Sequence, residues 1–194
     1  MSLPIVEVGN PVLRHVARAL SQEEIGSPEI QKLITQMREA MHDAPGVGLA
    51  APQVGHSIQL AVIEDRAQYH KDIAPEQLAA KERRPVPFHV LINPKVVWQS
   101  EETREFFEGC LSLPGYTAIV GRARAVKVEC LDKKGNSCSI EAHGWYARIL
   151  QHEIDHLQGR LYIDRMETRS FSSLDNFSEF WKNLSPADAL QRLK

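Results

Sequence analysis

Little in this 194-residue chain suits disulfide cross-linking, membrane insertion or the binding of a polyanion. It has only three cysteines, which excludes the cysteine framework of small secreted domains and points to a reducing compartment. Long apolar runs are missing: those present are broken by charges well short of the roughly 20 residues that a membrane-spanning helix needs. Neither sign of charge dominates. Lys+Arg number 23 against Asp+Glu 25, a formal charge of -2, which leaves no electrostatic footprint for nucleic acid. There is no internal repeat or low-complexity tract, and Met1-Ser2-Leu3-Pro4 begins neither an apolar signal core nor an Arg-rich presequence. A cytoplasmic setting is expected, and an organelle protein trimmed of its presequence would read the same way. The length fits a single domain over 1–194, large enough to bury a substantial core.

Against these absences stands Gln151-His152-Glu153-Ile154-Asp155-His156. A helix turns by about 100° per residue, so two histidines four apart lie one above the other and can grip one ion. Glu153 sits beside them, where a carboxylate can take the proton of a water that the ion acidifies while the ion polarises a carbonyl. The chemistry implied is metal-assisted hydrolysis. Trp145, Ile149, His152 and His156 fall at helical intervals and Gly159 is placed to end the run, so a helix with His152 facing inward is expected. Taken alone, the H-E-x-x-H pattern leaves open a surface helix that happens to carry two histidines.

An extended zinc-peptidase pattern would place a third histidine three residues after Gly159, where this chain has Tyr162. The third ligand is therefore sought upstream. Cys110 is the better candidate, within Glu108-Gly109-Cys110-Leu111-Ser112-Leu113-Pro114-Gly115, whose glycines and proline mark a turn that can present a thiolate. One cysteine and two histidines leave a fourth position open, as catalytic metal sites do. The alternative for Cys110 is a small buried apolar residue. Gly46-Val47-Gly48-Leu49-Ala50-Ala51-Pro52-Gln53 is rich in small residues that let a peptide approach the backbone, and Gln53 could donate to a developing oxyanion. An ordinary tight loop is the alternative there, and the G-x-G lacks the third glycine of a dinucleotide fingerprint.

In this order the three runs resemble those of peptide deformylase, a family with G-x-G-x-A-A-x-Q, E-G-C-x-S and H-E-x-D-H. The likeness extends from about Ile5 to about Phe171. The polar stretch between Asp65 and Pro87, the Gly144-Trp145 pair and Met166-Glu167-Thr168-Arg169-Ser170-Phe171 look most like the type 1A subclass, which includes mitochondrial and plant-organelle enzymes. The resemblance implies removal of the N-formyl group from the initiator methionine of nascent chains at the ribosome, with release of formate. By that likeness Cys110, His152 and His156 hold the metal, and Glu153 is general base and then general acid. Gln53 and the backbone amide of Leu111 hold the oxyanion. The Leu111 amide and the formyl substrate come from the family alone.

The same likeness sets Val47, Phe106, Glu108, Trp145 and Ile149 around the methionine side chain, with Gly48 hydrogen-bonding the peptide backbone. Trp145 is bulkier than the residue many bacterial members carry there, which implies a shallower pocket. Core packing is the alternative for each of these residues. Glu108 is expected to pair with Arg122 and so fix the loop that carries Cys110. The family's metal is Fe2+, and the donor set equally accepts Zn2+, Ni2+ or Co2+. Two other functions compete. A metallopeptidase is opposed by Cys110 and the missing third histidine, and a non-catalytic metal binder by Glu153 and Gln53 together.

The expected fold is α+β, with mixed or antiparallel strands packed around a central helix that carries H-E-x-x-H. Ser27-Pro28 reads as a helix start before an apolar stripe of Ile30, Leu33, Ile34, Met37 and Met41. Extended segments are expected at Ile58 to Ile63, Phe88 to Ile92 and Ala125 to Leu131, the last joined to Ser137–Glu141 as a hairpin. Residues 65–87 read as a polar surface insertion with a helical turn around Pro75 to Lys81, and 172–194 as a C-terminal extension that covers the core or forms a dimer contact. Cys130 and Cys138 read as strand residues, and the histidines outside the motif as surface or loop residues. The chain is expected to be a monomer or homodimer.

Overall fold

Residues 3–193 are described by a computed structural model. Ser21 caps α1 (Gln22–Gly26), and Ser27 caps α2 (Pro28–Asp43), its Oγ accepting from the Ile30 N–H at 3.3 Å with Pro28 in the first turn. There follow β1 (Gly48–Ala50), β2 (Leu60–Asp65), the short helix α3 (Pro75–Ala80), β3 (Val86–Gln99), β4 (Thr103–Cys110), β5 (Leu113–Ala123), β6 (Ala125–Leu131), β7 (Ser137–His143) and α4 (Gly144–Leu157), which carries the H-E-x-x-H motif. The chain closes with β8 (Ser172–Ser173), α5 (Leu174–Asn176), a π-helical turn at Phe177–Trp181 and α6 (Pro186–Arg192).

One sheet runs β1-β2-β3-β6-β7 and a second β4-β5-β8, each pairing antiparallel. Residues of β2 are nearly all buried because both faces of the first sheet are covered. Leu60 and Val62 pack with Leu33, Ile34 and Met37 of α2, whereas Ala61 and Ile63 pack with Ala147, Leu150 and Ile154 of α4. Alternate residues of a strand face opposite sides, so a two-sided apolar strand suits this layer and no other. Each fully buried Leu or Ile contributes about 1.5–3 kcal/mol. Helix α4 ends where Gly159 adopts φ +71, and a Cβ there would meet the Arg14 carbonyl at 2.6 Å, so only glycine fits.

Several local readings are corrected. The run 108–115 is mostly strand rather than turn: β4 reaches Cys110, β5 starts at Leu113, and only Leu111 and Ser112 bridge the two. Gly109, Pro114 and Gly115 mimic a loop in sequence, but here they sit at the irregular tip of a hairpin, where the missing proline N–H costs little. The β4–β5 pair was not legible for that reason. Strand β3 extends well beyond Phe88 to Ile92. His89 is not a loop residue: it lies in β3, with Nδ1 2.9 Å from the Pro87 carbonyl and Nε2 2.9 Å from the Tyr146 hydroxyl. His42 likewise lies in α2 and pairs with Glu64. The polar stretch 65–87 is anchored at its start, since buried Asp65 accepts from Arg83 at 2.7 and 2.9 Å and from His70. Cys130 and Cys138 face one another across β6 and β7.

Candidate metal centre and substrate cleft

Helix α4 sets His152 and His156 one turn apart, and their Nε2 atoms are 3.2 Å from each other. The end of β4 brings Cys110 to them from more than 40 residues away, with Sγ 3.3 Å from Nε2 of His156. The three donor atoms all lie within 4.8 Å of one another. Nitrogen ligands at about 2.0–2.1 Å from a tetrahedral ion stand roughly 3.3 Å apart, so this spacing fits a shared metal.

Protonation of the donors is set by the groups behind them. Glu108 accepts from Nε and Nη2 of Arg122 at 2.8 and 3.0 Å, and Arg148 adds a further contact. The Glu108 carboxylate lies 3.1 Å from Nδ1 of His152. Burial would raise the Glu108 carboxyl, but the His152 hydrogen bond and the Arg122 charge outweigh it and hold the group well below the usual range. An ionised carboxylate only accepts, so Nδ1 of His152 donates to it and Nε2 is the nitrogen turned toward the other donors. Arg122 also reaches Asp155 of α4 at 2.6 Å, and Arg165 grips the same carboxylate at 2.7 and 2.8 Å. One buried ionic chain thus ties β4, β5 and α4 around the ligand set.

Glu153 is buried beside the ligands, and its Oε2 has no hydrogen-bond partner. Burial pushes its carboxyl up to about 7. A proton acceptor with a free oxygen and a value near neutrality suits general acid–base work. The amide of Gln53 is held one way round: Oε1 accepts from the Ala50 N–H at 2.8 Å, and Nε2 is 3.3 Å from Ser112 Oγ and 3.5 Å from Cys110 Sγ. The donor end therefore faces the ligand cluster. The N-terminal segment braces this wall, Val6 N–H donating to the Gln53 carbonyl and Val8 N–H to that of Ser112.

These groups border a cleft of about 600 Å³ that also touches Val47, Gly48, Leu111, Trp145 and Ile149. Phe106 packs its ring edge-on against the cleft residue Trp145 at 6.1 Å between centroids, with Arg148 on its face, and Phe107, the next residue of β4, borders the cleft itself. Sequence reading missed Arg83 and Arg148, both on the cleft wall. Arg148 lies one helical turn before His152, a signal that was available. Arg83 had none, because it is held in place by Asp65.

The sequence model of the polypeptide deformylase family matches residues 2–171. The chain belongs to this family. Among deformylase relatives, "Peptide deformylase 1A, chloroplastic" of Solanum lycopersicum is 46% identical over 172 residues, 89% of this chain and 62% of that protein. The chain thus spans less than two thirds of that plant relative's length. "Peptide deformylase 3" of Streptomyces avermitilis is 44% identical over 191 residues, 98% of this chain and 83% of its own length. Among solved structures, a class I type b peptide deformylase from Acinetobacter baumannii with Met-Ala-Ser bound superposes with a TM-score of 0.76 at 32% identity, covering 86% of this chain and 99% of that one. Like that deformylase, the chain folds as α+β, and its own Cys110, His152 and His156 form a group able to hold a metal. No helix among the described residues is long and apolar enough to cross a membrane.

Proposed function

We propose that this chain is a metal-dependent deformylase that removes the N-formyl group from the initiator methionine of nascent polypeptides. The observation that carries the reading is the convergence of Cys110 Sγ and the two imidazole Nε2 atoms beside a buried carboxyl with a free oxygen, all on one cleft. Cys110, His152 and His156 would hold the ion, for which Fe2+ is our choice and Zn2+, Ni2+ or Co2+ would fit the same donors. Such an ion supplies Lewis acidity, which acidifies water and polarises the formyl carbonyl.

The chain's own groups do the rest. Glu153 takes a proton from the attacking water, whose oxygen adds to the formyl carbon. Gln53 Nε2 and the backbone N–H of Leu111 donate to the oxygen as it gains negative charge. Glu153 then delivers its proton to the departing amine, the C–N bond breaks, and formate and a free methionyl amine result. Val47, Phe106, Glu108, Trp145 and Ile149 surround the methionine side chain, and the Gly48 backbone holds the peptide. Binding of Met-Ala-Ser, the deformylated form of such a substrate, by the Acinetobacter relative supports this placement. Residues 3–193 act as one catalytic unit on chains emerging from the ribosome, in the cytoplasm or in an organelle.

The test is formate release from a formyl-methionyl peptide by anaerobically prepared, iron-loaded protein, with Glu153→Ala alongside. Release by the parent protein alone is expected. No release from either, with metal confirmed in the site, would overturn the reading.

A further inference from the structure

The family's sequence model ends at residue 171, yet the cleft does not: Leu174 lines it together with Pro114, Gly115 and Tyr116. The chain on either side of Leu174 is held in place by three interactions. Strand β8 pairs with β5 through Tyr116↔Ser173 and Thr117↔Ser172, which fixes the residue just before it. Ser173 caps α5, its Oγ accepting from the Asn176 N–H at 3.3 Å. Phe177 then packs against Phe107, itself a cleft residue, with ring centroids 4.7 Å apart.

This end of the cleft is apolar and open to water. Tyr116 stacks on Phe171 at 5.0 Å with the rings 8° from parallel, and Leu174, Tyr116 and Phe171 are 49%, 45% and 42% exposed. None of Leu113, Pro114, Gly115, Tyr116 and Leu174 carries a charge, whereas Arg83 and Arg148 also line the cleft. Large apolar side chains held rigidly in water beside a binding cleft gain free energy only when something covers them.

We propose that Leu174, with Tyr116 stacked on Phe171, forms a shelf that takes an apolar side chain at the second or third residue of the peptide. It would thus be a specificity-determining residue supplied by the C-terminal extension. The inference rests on the deformylase reading, which places the formylated methionine at the metal ligands and sends the following residues out along the same continuous cleft. A charged side chain at these positions would lose its hydration over the shelf without gaining a partner, so acidic residues are disfavoured there.

The experiment compares formyl-methionyl peptides carrying Leu or Asp at the second and third positions, using full-length metal-loaded protein and its Leu174→Ser, Leu174→Met and Phe180→Ser variants. Phe180 is exposed but lies off the cleft, so its variant is the control. The expected result is a higher kcat/KM for the Leu peptides, cut about threefold to tenfold by Leu174→Ser through KM with kcat unchanged, kept by Leu174→Met and unaffected by Phe180→Ser. An unchanged Leu-to-Asp ratio in Leu174→Ser would overturn the proposal. Calorimetric binding of the same peptides without the formyl group runs in parallel. If no peptide releases formate, the deformylase reading fails. The shelf then stands if Leu174→Ser still weakens binding of the Leu peptides selectively, and falls if it does not.

Discussion

Gly48 in β1 and Glu153 in α4 lie so close that a Cβ at position 48 would sit 2.6 Å from Cδ and 2.9 Å from Cγ of the glutamate. The glycine-rich run therefore does more than leave room for a peptide. It is packed directly against the carboxyl that is proposed to move protons, and the absence of a side chain at 48 defines where that carboxyl rests.

Replacing Gly48 with Ala should displace Glu153 without touching the three metal donors. Formate release is expected to fall by about 100-fold, the low end of what a general base contributes, with metal content unchanged. Elemental analysis alongside the rate separates this from a collapse of the metal site. Activity within a factor of two of the parent would mean that the glutamate adapts.

Glu153→Ala removes a buried carboxyl whose charged form burial disfavours. Its loss relieves that cost, so the variant is expected to be at least as stable as the parent while turnover is lost. Thermal melts of the two metal-loaded proteins check this. A lower Tm would show that the carboxyl supports the fold.

Arg122→Met would leave Glu108 and Asp155 facing each other across a buried gap, each short of one cation. Breaking one member of a buried ionic network is expected to destabilise by about 3–5 kcal/mol, even though Arg148 and Arg165 remain. Urea unfolding measures it directly. The same change should loosen metal binding, because Glu108 fixes the His152 ring.

Cys110→Ser should lower the metal content of the purified protein or exchange the ion, since an alkoxide is a harder and far less available donor than a thiolate. Metal content equal to that of the parent would remove Cys110 from the ligand set.

Away from the metal, burial lowers the His89 pKa, opposed only by its contact with the Pro87 carbonyl. The folded protein then binds fewer protons at this site than the unfolded chain, whose histidine keeps the ordinary value of 6.5. Stability should therefore decline as pH falls from 6.5 through the lowered folded value. The slope from this one group is at most about 1.4 kcal/mol per pH unit. His89→Gln, which can still hydrogen-bond Tyr146, should flatten that part of the curve in pH-dependent denaturant titrations.

The readings that held concern neighbours along the chain. Ser27-Pro28 starts α2 because a cap needs only the next three residues. Gly159 ends α4 because one backbone position needs φ > 0. The β6–β7 hairpin follows from its turn residues and alternation. Reading failed where the answer lay in pairing: β4 and β5 hid behind Gly109, Pro114 and Gly115, which mimic a loop in sequence.

By itself, then, the sequence determined the local chemistry: two imidazoles one helical turn apart, a carboxyl between them, an amide and a thiol set among small residues, and a likeness that orders them. Only the tertiary structure decided how these meet. Strand β4 carries Cys110 to α4, Arg122 bridges two strands to the helix, Asp65 swings Arg83 to the cleft, and β8 lays Leu174 along its mouth. Helical phase and caps depend on interactions within a few residues, so the sequence shows them. Contacts between distant segments depend on register, bulges and the close packing of the whole chain, and those are fixed only when every layer is in place.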